Sequence, residues 1–215
     1  MSLFALAGEG VTDQIVIENI LCGHYKNIDD LDDEITYLQP PFDETDKKQK
    51  DHGGWEILLS YLGEKRFRDD VLNSDYIIIQ IDTDVSEHKN FGVSHYDSQN
   101  KELPVAQLID DIKQYLIEKI GSNFYKETQE KIIFAISVHS LECWILSHFE
   151  QKKEKTKNCL KALEKALQKS INKNYKFYAE LSRPFTKHNT LLKTVAKNRS
   201  FKIFISNLPS LDPDV

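Results

Sequence analysis

Three short runs of apolar residues constrain the fold more than any other feature of this chain. They are "LFALA" at 3–7, "YIIIQI" at 76–81 and "KIIFAISV" at 131–138, and nearly every position in them is apolar. A strand with this pattern has both faces buried, which is typical of a parallel sheet covered by helices on two sides. A fourth run, "EITYLQP" at 34–40, predicts one more strand that ends at a pair of prolines.

Segments with helical spacing lie between and after these strands. They are "DQIVIENILCGHY" at 13–25, "WEILLSYLGEKRFRDDVL" at 55–72, "PVAQLIDDIKQYLIEKIG" at 104–121 and "HSLECWILSHFEQ" at 139–151. Alternation of strand and helix predicts right-handed βαβ units and a parallel sheet. We therefore predict an α/β fold, with a mostly parallel sheet of about four strands flanked by helices and a helical C-terminal portion. A single Lys-rich helix is predicted over 152–175.

The distribution of charge divides the chain into two parts. Residues 1–150 contain 13 Lys and Arg against 29 Asp and Glu, whereas residues 151–202 contain 15 against 3, although the net charge of the whole chain is only −6. We predict an acidic α/β domain over 1–150 and a basic helical extension over 151–215. The extension is either a solvated helical face or a clamp for a polyanion, and the sequence leaves both readings open.

The cysteines and the hydropathy indicate a cytoplasmic protein. Cys22, Cys143 and Cys159 are widely spaced and form no CxxC pair, so we expect reduced thiols and no zinc site. No apolar run approaches the ~20 residues that cross a bilayer, and the N-terminus lacks the basic leader of a secretory signal. A membrane partner is not expected.

Acidic side chains follow three of the predicted strands. Glu9 follows the strand at 3–7, Asp82 and Asp84 follow the strand at 76–81, and Glu142 follows the strand at 131–138. Because the carboxyl ends of parallel strands meet at one edge of the sheet, these acids are expected to lie together there. Such a cluster is unfavourable without a counter-charge, and Mg²⁺ prefers oxygen ligands. If Asp82 and Asp84 lie on extended chain, they point the same way and share one metal or bracket two.

Each acid also has an ordinary structural explanation. An acid after a strand is often a helix cap or a turn former, which applies to Asp13 and Asp82 taken singly. Glu142 has the alternative of lying on the solvated face of its helix. The metal-site hypothesis depends on all of these acids meeting at one place.

The same stretches resemble a known family. "GEGVTD", "IDTDVSE" and "SVHSLECWILSHFE" are similar to the topoisomerase–primase (TOPRIM) domain, in which a glutamate follows the first strand and a DxD follows a later one. The chain resembles RloB-like abortive-infection proteins and the nuclease part of overcoming-lysogenization-defect (OLD) enzymes of bacterial defence. The resemblance covers about residues 3–150. Two departures are that "VSE" follows the DxD in place of a third aspartate, so that either Glu87 or no residue takes that role, and that no Walker A motif is present.

The resemblance implies roles for individual residues. Glu9 would be a metal ligand or the general base, with Asp13 supporting it. Asp82 and Asp84 would hold Mg²⁺ or Mn²⁺, and Glu142 would complete a second metal position. The resemblance thus implies the catalytic set Glu9, Asp13, Asp82, Asp84 and Glu142, with Glu9, Asp82, Asp84 and Glu142 as the metal ligands. Two bound ions would stabilise the attacking and leaving oxygens of a phosphodiester.

Basic residues are expected to contact the nucleic acid. The candidates for this role, which rest on charge and not on a motif, are Lys152, Lys153, Arg183, Lys187 and Lys193. A positive side chain is also expected beside the scissile phosphate, and the sequence does not distinguish among Lys131, Arg183, Lys187 and Lys193.

Three functions are consistent with these features. The first is a Mg²⁺-dependent nuclease that hydrolyses DNA or RNA, tRNA included, in anti-phage defence. The second is a non-catalytic regulatory or sensor subunit on a TOPRIM scaffold that binds a partner ATPase or nucleic acid. The third is a primase-like nucleotidyl transferase, which would need nucleotide-binding elements not seen here. A separate ATPase subunit is an expected partner of an OLD-like chain, and self-association into a homo-oligomer is left open.

Overall fold

The computed structural model describes residues 2–43, 48–49, 54–150 and 157–211. In chain order its first elements are β1 (Ser2–Ala7), α1 (Val11–His24), β2 (Ile35–Gln39), β3 (Phe42–Asp43), β4 (Lys48–Gln49), α2 (Trp55–Gly63), α3 (Lys65–Asn73) and β5 (Ser74–Asp82). These are followed by α4 (Val105–Ile120), α5 (Ser122–Thr128), β6 (Ile132–Ser137) and α6 (Leu141–Phe149). The C-terminal part consists of α7 (Cys159–Leu167), α8 (Tyr175–Ser182), α9 (His188–Val195) and α10 (Arg199–Ser206). Three short 3-10 turns occupy Leu31–Glu34, Thr83–Val85 and Arg183–Thr186.

The principal sheet has four strands in the order β2-β1-β5-β6, and all neighbouring strands are parallel. This confirms the predicted α/β fold. Alternate residues of β5 point to opposite faces, so that Ile78 belongs to one hydrophobic core and Ile77 and Ile79 to the other. The apolar runs are continuous because both faces of these strands are covered.

Helices cover the two faces of the sheet unequally. One core is formed with α2, α3 and α4, and contains Leu62, Phe67 and Ile112. The other core is formed with α1, α6 and the C-terminal helices, and contains Trp144 and Phe201, whose rings stack 4.7 Å apart. The basic C-terminal part is therefore helical, as predicted, and its helices complete the core on one face of the sheet.

Two of the predicted helices differ from those observed. The segment 55–72 was predicted as one helix, but it forms α2 and α3 because Glu64 between them is extended, with φ −82° and ψ 157°. The Lys-rich helix predicted over 152–175 is shorter, since α7 ends at Leu167 and Gln168 has a left-handed conformation with φ 55°. Residues 151–156 lie outside the described residues.

The cysteine prediction was wrong for two of the three residues. Cys143 of α6 and Cys159 of α7 form a disulfide, with their Cα atoms 5.0 Å apart, while Cys22 is free. The two helices pack side by side, and the 16-residue spacing in the sequence carries no sign of this contact. In the described ranges, no helix is long and apolar enough to span a membrane.

A close backbone approach at Gly23 supports the contact between α1 and the C-terminal part. A Cβ atom at Gly23 would lie 1.8 Å from the carbonyl oxygen of Phe185. Gly23→Ala is expected to lower the free energy of unfolding by roughly 1–3 kcal/mol, because α1 and the 183–186 turn must separate. Urea unfolding followed by circular dichroism measures the change.

Gly63→Ala is the matched control, because a Cβ atom at Gly63 would meet the carbonyl oxygen of Lys119 at an ordinary 3.6 Å. This variant is expected to be as stable as the unchanged protein, or more stable by up to about 1 kcal/mol. Equal unfolding midpoints for the two variants would contradict the role assigned to Gly23.

Candidate functional site

The acidic site consists of the five predicted acids Glu9, Asp13, Asp82, Asp84 and Glu142. It lies at the ends of the two central strands, β1 and β5, from which the chain continues to opposite faces of the sheet. The chain leaves β1 into α1 on one face, and it reaches α4 on the other face after β5. In parallel sheets, such a switch point opens a crevice at the carboxyl ends of the strands. Glu9 follows β1, and Asp82 ends β5. The two meet there, because the Asp82 backbone N–H donates a hydrogen bond of 2.9 Å to Glu9 Oε1.

Asp13 joins this site from the first turn of α1. Its Oδ2 accepts a hydrogen bond of 2.8 Å from the Gly10 backbone N–H, which satisfies one donor at the start of the helix. The structural explanation of Asp13 as a capping residue is therefore correct for one of its two oxygens. The charge of Asp13 is also close enough to Glu9 to raise the pKa of Glu9.

Asp82 is held by residues that sequence reasoning had not assigned to it. Its Oδ1 accepts hydrogen bonds from Ser137 Oγ, from Gln80 Nε2 at 2.9 Å and from the Leu141 backbone N–H at 3.0 Å. Ser137 pairs with Asp82 across the β5–β6 ladder, and Leu141 begins α6. These contacts fix one oxygen of Asp82 between two strands and a helix.

Asp84 differs from the expected geometry. Residues Thr83–Val85 form a 3-10 turn, so Asp82 and Asp84 do not share an extended segment and the i, i+2 argument does not apply. Asp84 is exposed, and its backbone N–H donates to the carbonyl oxygen of His139 at 2.9 Å. Its side chain is therefore the most accessible of the predicted ligands.

Glu142 lies in the first turn of α6 and is only 5% exposed, so the alternative of a solvated helix face was wrong. Its Oε1 accepts a hydrogen bond of 2.5 Å from the Tyr178 hydroxyl and lies 3.8 Å from Lys173 Nζ. Tyr178 and Lys173 come from the C-terminal part and were missed, because a tyrosine and one lysine in a Lys-rich stretch form no motif.

The electrostatics of the site show a surplus of negative charge. Burial, with the nearby charge of Asp13, raises the pKa of Glu9 to about 8. Burial and neighbouring carboxylates also raise the pKa of Asp82 and Asp13 well above the usual range. The carboxyl of Asp84 is partly desolvated although the residue as a whole is exposed, and this desolvation and the charge of Glu142 raise its pKa above the usual value. Burial opposes ionisation of Glu142 too, but hydrogen bonds from Tyr178 and Ser140 and the charge of Lys173 outweigh it and lower the pKa of Glu142.

The chemistry of these donors fits a hard divalent cation. All are carboxylates, which Mg²⁺ and Mn²⁺ accept as ligands, and a cation would relieve the repulsion that raises their pKa values. Within the described residues, Glu9 Oε2, Asp13 Oδ1 and Asp82 Oδ2 accept no hydrogen bond, so one oxygen of each carboxylate is available. In the same residues, however, no three His, Cys, Asp or Glu side chains converge closely enough to hold a metal as they stand.

The other predicted residues, which are the basic residues expected to contact nucleic acid and Glu87, lie at several places in the fold. Lys131 donates to the carbonyl oxygen of Ser74 at 2.7 Å, at the amino end of β5, so it cannot reach the acidic site. Glu87 is exposed, and its charge acts on His139. Arg183 and Lys187 line a cavity of about 550 Å³ beside α8, and Lys193 is exposed on α9. Lys152 and Lys153 lie outside the described residues.

Comparisons with protein-family models, with curated proteins and with solved structures found no significant match for this chain. Conclusions about the site therefore depend on its own geometry and chemistry.

The pKa of Glu9 predicts how stability depends on pH when no divalent cation is bound. The Glu9 carboxyl loses its proton near pH 4.5 in the unfolded chain but only near pH 8 in the folded chain. Between these two pH values the folded chain therefore holds one proton more than the unfolded chain. The free energy of unfolding is therefore expected to decrease as the pH rises through this range. Glu9→Gln should remove that contribution and should be more stable than the unchanged protein by about 1–3 kcal/mol at pH 8.

Urea unfolding in EDTA at several pH values tests this expectation, with exposed Glu118→Gln of α4 as the control. Comparing variants cancels the opposing contribution of histidines such as His24 and His148, whose pKa values burial lowers. If Glu9→Gln and Glu118→Gln gave the same dependence on pH, Glu9 would not hold the proton assigned to it.

Proposed function

We propose that this chain is a metal-dependent nuclease of the TOPRIM type, which uses Mg²⁺ or Mn²⁺ to hydrolyse phosphodiester bonds in DNA or RNA. The observation that carries the proposal is the direct contact of Glu9 with the end of β5, where Asp82 lies. Acids from the ends of separate strands thus occupy one crevice, together with Asp13, Asp84 and Glu142. The resemblance of the motifs to TOPRIM proteins of bacterial defence supports the same function.

The acidic residues would have different roles in metal binding and proton transfer, according to their surroundings. Glu9, Asp82 and Asp84 would hold a divalent ion, and Glu142 would serve a second position. Bound ions would supply electrostatic stabilisation of the attacking and leaving oxygens of the phosphodiester. In its alternative role as general base, Glu9 would not bind the ion, and a carboxyl whose pKa burial raises to about 8 is suited to exchange a proton with water near neutral pH.

Lys173 is the best-placed positive side chain for the phosphate. It lies 3.8 Å from Glu142, is 66% exposed, and its charge offsets part of the rise in the pKa of Glu9, Asp13 and Asp84. A cation in this position can stabilise charge that develops on a phosphoryl oxygen. By its geometry it replaces Lys131 as the candidate for this role.

A second function is supported by a specific observation. In the described part of the chain no three acidic ligands converge, and Glu142 is already paired with Tyr178 and Lys173. Such a site is also consistent with a regulatory subunit that keeps the scaffold and binds a partner ATPase or nucleic acid without cutting it. A role in anti-phage defence, as abortive infection, fits either function.

Cleavage assays test the nuclease directly. Purified protein is expected to cut plasmid DNA or total RNA with Mg²⁺ or Mn²⁺ and not with EDTA, and Glu9→Ala should reduce the rate about 100-fold or more. Asp110→Asn, an exposed acid on α4, is the matched control and should keep full activity. The proposal fails if Glu9→Ala and the unchanged protein behave alike on both substrates.

Metal binding is tested separately by thermal unfolding. Mg²⁺ at about 100 times its Kd should stabilise the folded state by about 2.7 kcal/mol, which raises the melting temperature by several degrees. Asp82→Asn should lose this increase, because the amide is a weaker ligand for a hard cation. A metal-induced increase that persists in Asp82→Asn would place the ion elsewhere, and no increase in either protein would favour the non-catalytic scaffold.

A further inference from the structure

Two adjoining cavities run along α8 and share Glu180 and Arg183. The first has a volume of about 430 Å³, lies between α1 and α8, and is lined by Ile15, Asn19, Tyr175 and Lys176 among others. The second has a volume of about 550 Å³ and continues along the 183–187 turn to Lys187 and His148. We call the two together the α8 groove.

The two helices that form the first cavity also carry residues of the acidic site or residues that contact it. Ile15 is two residues beyond Asp13 on α1, and Tyr175 is two residues beyond Lys173, whose amino group pairs with Glu142. Tyr178, one turn further along α8, donates its hydroxyl hydrogen to Glu142. The amino-terminal halves of α1 and α8 thus contribute residues both to the groove and to the surroundings of the acids.

The lining of the groove combines positive charge with aromatic and apolar surface. Lys176, Arg183 and Lys187 are exposed along it, and Glu180 is the single acid among its lining residues. Tyr175 is half-buried in the wall, where it packs against the hydrophobic core that contains Ile15 and forms a hydrogen bond with Tyr37. Cations beside an aromatic platform are the combination that binds single strands, since phosphates follow the cations and bases stack on the ring.

We propose that the α8 groove binds a single-stranded stretch of nucleic acid and leads it to the acidic site. The inference rests on the proposed nuclease function and specifies its substrate class. A duplex is not expected to bind in this way, because its bases are stacked and paired inside the double helix and cannot reach Tyr175. Cavities of this volume accommodate a drug-sized molecule, which is larger than a single base.

Binding in EDTA tests the groove without cleavage. Fluorescence anisotropy is measured with labelled single-stranded DNA and RNA of about 12 nucleotides and with the matching duplexes. The single strands are expected to bind at least 10-fold more tightly than the duplexes. Replacing Lys176, Arg183 and Lys187 together by Gln should weaken single-strand binding at least 10-fold and reduce the slope of log K against log salt by about 2.

Two controls separate the groove from general charge. Lys161, Lys165 and Lys202 are exposed and lie outside both cavities, and replacing them by Gln removes the same charge, so binding should change less than 2-fold. Tyr175→Phe keeps the ring and should retain binding, whereas Tyr175→Leu should lose about 5-fold or more. Equal losses in the two triple variants, or duplexes that bind as tightly as single strands, would overturn the proposal.

The outcomes also separate this inference from the proposed function. If the groove variant loses binding in EDTA but no Mg²⁺-dependent cleavage exists, the groove is supported and the nuclease proposal fails. If the protein cuts nucleic acid with Mg²⁺ but the groove variant binds and cuts normally, the nuclease stands and the groove proposal fails. Whether RNA or DNA binds more tightly identifies the sugar, and either result supports a single-strand groove.

Discussion

The hydrogen bond from the Asp82 backbone to Glu9 is the interaction on which the rest of the site depends. It joins the ends of two neighbouring parallel strands and holds a carboxylate where burial opposes its ionisation. A backbone donor favours the ionised carboxylate and so limits the rise in its pKa, without supplying a counter-charge. The strands can hold such an unfavourable group because their other residues, Ile77, Ile78 and Ile79, are almost completely buried in two cores.

The sheet was predictable because each apolar run is buried on both sides, and the short length and β-branched residues of these runs distinguish them from buried helical segments. The errors have one cause, which is that tertiary contacts decided the local structure. The extended conformation of Glu64 divides one apolar helical segment into two, and the left-handed Gln168 ends α7 early. The Cys143–Cys159 disulfide depends on the packing of α6 against α7, which no spacing in the sequence reveals.

The site was predictable only where topology determined it. Glu9 and Asp82 meet because parallel strands deliver their carboxyl ends to one edge, and this can be read from strand order alone. The roles of Lys173 and Tyr178 could not be predicted, because they depend on how the C-terminal helices fold back over α1 and α6. The turn at Asp84 depends equally on its backbone contact with His139, which lies on another strand exit.

In each of the central acids, Asp13 and Asp82, the two carboxylate oxygens have different surroundings. One oxygen of Asp13 and one of Asp82 are used to cap helices, so the simple structural explanations were correct but incomplete. The other oxygen of each side chain accepts no hydrogen bond from the described residues. The groups that complete this environment, Tyr178 and Lys173, belong to the basic part of the chain. The acidic and basic parts distinguished by composition are therefore joined at this place, where the C-terminal part supplies a hydrogen bond and a counter-charge to Glu142.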